Sequence, residues 1–459
     1  MTLDGRVGRV AVIGAGLAGL GAAWRLSRLG FDVRVLERAA RAGGRAVSDS
    51  VEGFRFEPAG ALLSGADREL LAWVDELGLR DEMLPLRPAV PAQIFRGRVH
   101  PIDPRGLFGV AAIPGVRRLQ AARLVRLPRL LARYAPQLDP DAPERAAPLD
   151  DRSLHDFGRL YFGESVVERW MAPLVGPLGD SPDTSRALFL RRYPAHAEAL
   201  LGLPRATLAE VVDAAASRLT ILTGVEATGI ELLPAGGLRV QARERGRERS
   251  IETDAVVVAA PAPEAARIAH AVLCSAEREG LARVRYAPRL ALVLGLRRAL
   301  HPHPRWLSIP RSEGGPLASI LLEPGVAGGR VPSGRGLAHL EARPEYAAAA
   351  LAAEGDVPAK ELQEAFEELL AGARGSVAWS RLYRLPLATP RFDVGRYREI
   401  AAFERVGADR RRSGRKLYFA GDYLMDPSWN GALLSGQRAA RAVHADLSGG
   451  RATARAERS

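Results

Sequence analysis

Residues 9–37 read RVAVIGAGLAGLGAAWRLSRLGFDVRVLE, and their pattern decides the fold. Residues 9–13 are a short apolar run of the kind that forms a strand buried on both faces. Gly14, Gly16 and Gly19 follow as G-x-G-x-x-G, with Leu17 and Ala18 inside the spacing. Ala22, Ala23 and Leu26 continue at helical intervals. Residues 31–36 make a second apolar run ending on Glu37, about 20 positions past the first glycine.

Each element has a physical task. Gly14 permits a tight turn, Gly16 lets backbone approach a pyrophosphate, and Gly19 lets the helix pack close to the strand. Phosphates would sit on the positive helix N-terminus, and Glu37 would bind ribose hydroxyls. A glycine-rich packing turn alone leaves Glu37 unexplained. The acid favours an unphosphorylated ribose, which FAD and NAD both carry. Leu17, Ala18 and Arg38 join the candidate cofactor contacts.

The chain has 459 residues, 47% hydrophobic and 26% charged, with a formal net charge of +12. At roughly 100–200 residues per domain this means two or three packed units. The hydrophobic share excludes a mainly disordered chain. The single cysteine, Cys274, excludes an internal disulfide framework and fits a cytoplasmic, reducing setting. No His-x-x-x-His pair and no multi-cysteine motif is present, so no metal is expected. Of 65 basic residues only Lys360 and Lys416 are lysines. The arginines are spread along the chain without an RNA-binding signature, so no nucleic-acid partner is expected. No apolar run is long enough for a transmembrane helix. Residues 10–24 imitate a secretory signal, but their glycine spacing reads as the nucleotide turn.

Beyond Glu37 the chain continues through Arg41 to Gly43-Gly44-Arg45. With the first motif, this stretch resembles the flavoprotein superfamily of amine oxidases, protoporphyrinogen oxidases and phytoene-type desaturases. The resemblance implies that it wraps the adenosine and pyrophosphate of FAD. Arg45 would offset phosphate charge. Residues 54–63 are similar to a stretch the family places beside the flavin ring, which nominates Gly60 and Ala61. Near the C-terminus, an apolar run at 416–420 leads to Gly421-Asp422, then Ser428-Trp429-Asn430-Gly431-Ala432 and a helix from 433. This resembles the family's closing motif. There the acid binds the ribityl–phosphate region, and the helix N-terminus faces the flavin pyrimidine ring, where a positive dipole favours reduced flavin. Asp422, Trp429, Asn430 and Ala432 are nominated with it. A strand at 219–225, ending at Val225, would meet adenine through its backbone. A strand at 254–261 would bring Ala260 and Pro261 under the dinucleotide.

The resemblance implies an α/β protein: a discontinuous Rossmann-like FAD-binding domain with an inserted α+β substrate-binding domain. Residues 1–85, 205–275 and 405–447 fall to the first, and 86–204 and 276–404 to the second. Residues 448–459 are expected to form a flexible tail. No cysteine or histidine falls in the closing motif, so non-covalent FAD is expected.

The strand corresponding to the amine oxidases' flavin-side lysine carries Arg289 instead, and Ser428 stands where many of them have tyrosine. Pro91 and Ala92 stand where protoporphyrinogen oxidases commonly have a propionate-binding arginine, for which Arg96, Arg98, Arg191 or Arg192 are substitutes. Trp429, Trp379 and Arg289 are the candidates beside the flavin. His155, His196 and His339 read as surface or satisfied core residues. Residues 115–134 interleave arginines with leucines, a pattern that lies on an anionic membrane or snorkels over a core. The expectation is an FAD-dependent oxidoreductase that dehydrogenates a small hydrophobic substrate and passes electrons to oxygen or a quinone-like acceptor. Porphyrinogen oxidation, isoprenoid desaturation, amine oxidation and flavin-dependent isomerisation remain the alternatives.

Overall fold

The computed structural model of the chain describes residues 2–3, 6–58, 60, 62–176, 181–196, 201–352 and 355–456. A five-stranded parallel sheet runs in the order Thr220–Thr223, Asp32–Glu37, Arg9–Ile13, Ala255–Val258, Leu417–Phe419. Its central strands are Val- and Ile-rich because helices cover both faces. An antiparallel meander, Val225–Leu232, Leu238–Glu244 and Arg247–Thr253, branches from one edge. Val225 opens this meander rather than ending the preceding strand, because Gly224, at φ +69°, breaks the run.

The first helix, Leu17–Arg28, and the closing helix, Trp429–Ala456, pack against each other beside this sheet. The closing helix starts four residues before the expected 433, and it continues through the stretch expected to be a flexible tail as far as Ala456. Small residues make its contact with the first helix close. A Cβ on Gly436 would lie 1.9 Å from the Ala18 carbonyl oxygen, and one on Gly21 would lie 2.7 Å from Leu433.

A second, seven-stranded sheet takes the order Arg98–Pro101, Val90–Phe95, Arg305–Ser308, Leu317–Pro324, Gly336–Ala342, Tyr286–Leu296, Val377–Pro390. All its neighbours are antiparallel except Val90–Phe95 with Arg305–Ser308. Residues 106–176 and 186–196 form a helical lobe around Phe157, Trp170 and Phe189. The helix Arg396–Arg412 runs without a break through position 405, and its Tyr397 and Ile400 pack into that lobe's core.

A buried ion network ties these parts together. Arg330 is 1% exposed and donates from Nη1 to Glu57 (2.8 Å) and from Nη2 to Glu323 (2.9 Å). Arg87 Nη2 donates to Glu323 (2.7 Å), so two guanidinium groups balance two carboxylates. Glu57 also accepts from the backbone N–H of Leu208 (2.7 Å), the first residue of the helix Leu208–Ala216. Burial works against the Arg330 charge, but Glu323 and Glu57 outweigh it and hold its pKa above the ordinary value. A buried pair broken on one side leaves uncompensated charge, at about 3–5 kcal/mol. Arg330→Ala is therefore expected to lower the unfolding free energy by about that amount, measured by urea denaturation. A loss within experimental error of zero would show that the network carries no structural role.

Candidate active site

One cavity of about 1110 Å³ opens along the carboxyl ends of the parallel strands and continues beneath the seven-stranded sheet. Ligands bind at this edge of open α/β sheets because the strand-to-helix turns leave a crevice there. Of the nominated residues, Gly14, Gly16, Leu17, Ala18, Glu37, Arg38, Gly43, Gly44, Arg45, Gly60, Val225, Ala260, Pro261, Arg289, Gly421, Asp422, Trp429 and Ala432 all line it. Ala61 lies outside the described residues.

Three nominated residues are placed elsewhere. Gly19 faces the protein: an added Cβ would lie 1.8 Å from the Gly14 carbonyl oxygen. Asn430 accepts from the Leu70 backbone N–H (3.0 Å) and so caps the helix Arg68–Glu76. Trp379 stacks on Phe56 at 5.6 Å, against Phe54 and Gly295, in an aromatic core instead of on the cavity wall. The strand alternation explains this: Trp379 lies directly opposite Gly295, whose missing side chain makes room for the indole.

The nucleotide end is built from backbone and three charged side chains, Glu37, Arg45 and Asp422. Glu37 is buried, and its carboxylate accepts from Ala15 N and Ala39 N, each at 2.8 Å. An ionised carboxylate has further lone pairs for hydroxyl donors. Arg45 Nη2 donates to Asp422 Oδ1 (2.7 Å), which joins the first glycine-turn region to the closing motif. Ser428 accepts from the Gly431 N–H (2.9 Å) and caps the closing helix, whose N-terminal residues Trp429 and Ala432 reach the wall.

The far end is mostly apolar, with a few polar groups. Arg192 Nη1 donates to Asp426 (3.1 Å) and Ser428 (3.2 Å). Of the four arginines nominated as substitutes, Arg192 lines the cavity, whereas Arg191 donates to the Asp139 carbonyl oxygen (2.7 Å) and sits over Tyr397. On the sheet, Arg289 Nε donates to Glu341, and burial raises the Glu341 carboxyl against the pull of that arginine. His339, two residues before Glu341, also lines the cavity. It is 6% exposed, and neither ring nitrogen has a hydrogen-bond partner in the protein. Burial, and then the nearby Arg330 charge, push its imidazole down to about 3. It is thus neither a surface nor a satisfied core histidine. His339 and Glu341 alternate on one face of an otherwise apolar strand, and that pattern was the available signal in the sequence.

The fold and this cavity define a dinucleotide-binding α/β protein. The chain belongs to the flavin containing amine oxidoreductase family, whose model matches residues 17–444. It is 31% identical over 191 residues to AofH of Mycobacterium tuberculosis, named as a flavin-containing monoamine oxidase. That match covers 40% of this chain and 40% of AofH, so it spans about two fifths of that relative's length. Protoporphyrinogen oxidase 2 of Arabidopsis thaliana is 27% identical over 177 residues, covering 37% of this chain and 32% of that protein. The solved cyclohexylamine oxidase of Brevibacterium oxydans superposes with a TM-score of 0.73 at 19% identity, covering 96% and 100% of the two chains. The last likeness concerns the fold alone.

The residues present fit FAD. At Gly16 the nearest protein atom to an added Cβ lies 4.0 Å away, so packing does not demand glycine there. The first helix has no side-chain cap and no acid in its first turn, which suits a phosphate. Two substitutions separate ligand room from packing. Gly19→Ala is expected to destabilise the fold, with a clear drop in melting temperature, because its methyl would meet a carbonyl. Gly16→Ala is expected to keep the apoprotein's melting temperature while weakening FAD binding about tenfold or more. An unchanged FAD affinity in Gly16→Ala, by fluorescence titration, would remove Gly16 from the binding surface.

Proposed function

We propose that this chain is an FAD-dependent oxidoreductase that dehydrogenates a largely hydrophobic organic molecule. The observation that carries the reading is the single cavity that joins the glycine turns to an apolar chamber under the sheet. FAD, when bound, supplies the acceptor for a hydride equivalent from a substrate C–H bond. In this reading residues 1–85, 205–275 and 405–447 hold the cofactor non-covalently, and 86–204 and 276–404 enclose the substrate. Gly16, Leu17 and Ala18 receive the pyrophosphate, Glu37 the adenosine ribose, and Arg45 and Asp422 the phosphate–ribityl region. The N-terminus of the closing helix favours negative charge on a ring beside Trp429 and Ala432. Leu62, Leu174, Phe189, Trp306, Leu321 and Leu385 wall the chamber and keep water from the reacting bond.

Placement does most of the work in this scheme, because Arg289 and Arg192 are already paired with carboxylates. Glu341, held by Arg289, takes no proton from the substrate in this reading. Oxygen or a quinone-like molecule then accepts the electrons.

The cavity's lining also supports a way in for a lipophilic substrate. Asp103, Pro104 and Arg105 line it and lead directly into the helix Gly106–Ala112. Phe108 is 88% exposed on that helix, and Leu119 (87%) and Val125 (66%) are exposed just beyond it. Arg117, Arg118, Arg123, Arg126 and Arg129 flank Leu119 and Val125 in sequence, all exposed. Bare apolar side chains interleaved in sequence with exposed arginines suit the surface of an anionic bilayer. Among the described residues no helix is long and apolar enough to cross a membrane.

Two measurements test these readings. Purified protein should carry a flavin spectrum and release intact FAD on denaturation. Anaerobic addition of a hydrophobic amine, porphyrinogen or polyene should bleach the flavin in one class and leave it oxidised in the others. A protein that binds no added FAD ends the reading. For the surface, sedimentation with phosphatidylglycerol vesicles should exceed that with phosphatidylcholine vesicles and fall with salt. Phe108→Ser with Leu119→Ser should reduce it at least about fivefold, which is about 1 kcal/mol. Equal sedimentation with both vesicles would exclude the electrostatic part.

A further inference from the structure

Asp67 and Arg192 meet on the cavity wall in an arrangement that packing leaves open. Asp67 stands at the N-cap position of the helix Arg68–Glu76, yet its side chain caps no N–H of that helix. Asn430 does so instead, accepting from Leu70 N–H. Asp67 Oδ2 accepts from the Ser64 backbone N–H (2.8 Å). Asp67 Oδ1 lies 3.9 Å from Arg192 Nη2, too far for a hydrogen bond. Arg192, on the helix Arg186–His196, uses Nη1 for Asp426 and Ser428. Among the described residues neither Nη2 nor Oδ1 has a hydrogen-bond partner.

These two atoms are also open. Arg192 Nε is shut off from solvent, whereas Arg192 Nη2 and Asp67 Oδ1 are not. Both residues line the cavity, and their side chains are 15% and 9% exposed. Asp67 as a whole is 6% exposed, so the little surface it keeps belongs to the cavity it lines. Phe189 and Tyr193, stacked on the helix that carries Arg192, line the same cavity with apolar surface.

We propose that Asp67 and Arg192 together clasp a hydroxyl or primary amide of the substrate, so that the substrate is an apolar skeleton with one uncharged group that both donates and accepts. This rests on the oxidoreductase reading above and narrows its substrate class. A guanidinium only donates and a carboxylate only accepts. One oxygen at an ordinary hydrogen-bond length, about 2.8 Å, from each atom spans the gap between them. A hydroxyl there accepts from Nη2 and donates to Oδ1. A carboxylate would satisfy Arg192 but meet the like charge of Asp67, and an ammonium would satisfy Asp67 but meet Arg192. A hydrocarbon would leave both atoms desolvated and unpaired. Asp426 supplies the second carboxylate beside Arg192, so the three side chains leave one negative charge near the N-terminal turn of the closing helix, where it is favoured. Asp67 and Arg192 are specificity-determining residues in this scheme and take no proton from the reacting carbon.

The test measures binding to the FAD-loaded protein by anaerobic equilibrium dialysis with four probes of one skeleton: 3-phenylpropanol, butylbenzene, 3-phenylpropanoate and 3-phenylpropylamine. The wild type should bind the alcohol at least about fivefold more tightly than each of the others, the range of a single hydrogen bond. Asp67→Asn should raise the affinity for 3-phenylpropanoate at least about fivefold, and Arg192→Gln should do the same for 3-phenylpropylamine. A merely structural role would not move the two variants towards opposite charges. A gap closed by water or by the flavin edge would leave alcohol and butylbenzene bound alike, and that result overturns the proposal. So does a probe order unchanged from the wild type in either variant at full FAD content. Should one variant fail to fold, the other decides. FAD content measured on the same samples separates the two readings. A colourless protein sinks the oxidoreductase reading, whereas a yellow one without the alcohol preference sinks this inference alone.

Discussion

The contact between the first and closing helices governs the rest of the molecule. Gly436 passes so close to the Ala18 carbonyl that a single methyl would not fit. That closeness sets the N-terminal turns of two helices, 418 positions apart at this contact, on one cavity. Two positive helix ends then face one cavity, through Leu17 and Ala18 on one side and Trp429 and Ala432 on the other. The Arg45–Asp422 ion pair reinforces the same junction from the side, between residues no local signal would connect. Neither glycine motif makes a site alone. The site exists because small residues let the helices approach.

The seven-stranded sheet supplies what the parallel sheet lacks. A parallel sheet's crevice is formed by turns, and here its polar groups are backbone amides with Glu37, Arg45 and Asp422. The antiparallel roof presents alternate side chains, so one face of each strand can be composed residue by residue. That face is largely apolar, with Arg289, His339 and Glu341 set into it. The Arg330 network fixes this roof to Glu57 and, through Leu208, to a helix beside the nucleotide-binding sheet. Charge is buried there in balanced form, so it joins the layers without presenting net charge to the chamber.

The legible part of the fold was the part with local physics. Residues 9–37 carry their own strand period, turn glycines and terminal acid, and the structure forms each element within a residue of the reading. The closing motif was legible for the same reason, although its helix begins at Trp429 because Ser428 caps it. Val225 was misassigned to the end of a strand since Gly224 does not look different from any other turn glycine in a one-dimensional reading. Trp379 and Asn430 were misplaced because their fates depend on partners far away in sequence. Gly295 opens a slot for the indole, and Leu70 offers an N–H to the amide.

His339 illustrates the deeper limit. In sequence it is one histidine in an apolar strand, and a core position is the commonest outcome for such a residue. Two facts change that reading, and both are tertiary. The cavity reaches this strand, and no neighbouring strand or helix supplies a partner to either nitrogen. A buried imidazole without partners is costly, at about 1–3 kcal/mol for each unsatisfied group. A core that merely needed volume at this site would be better served by Leu or Phe.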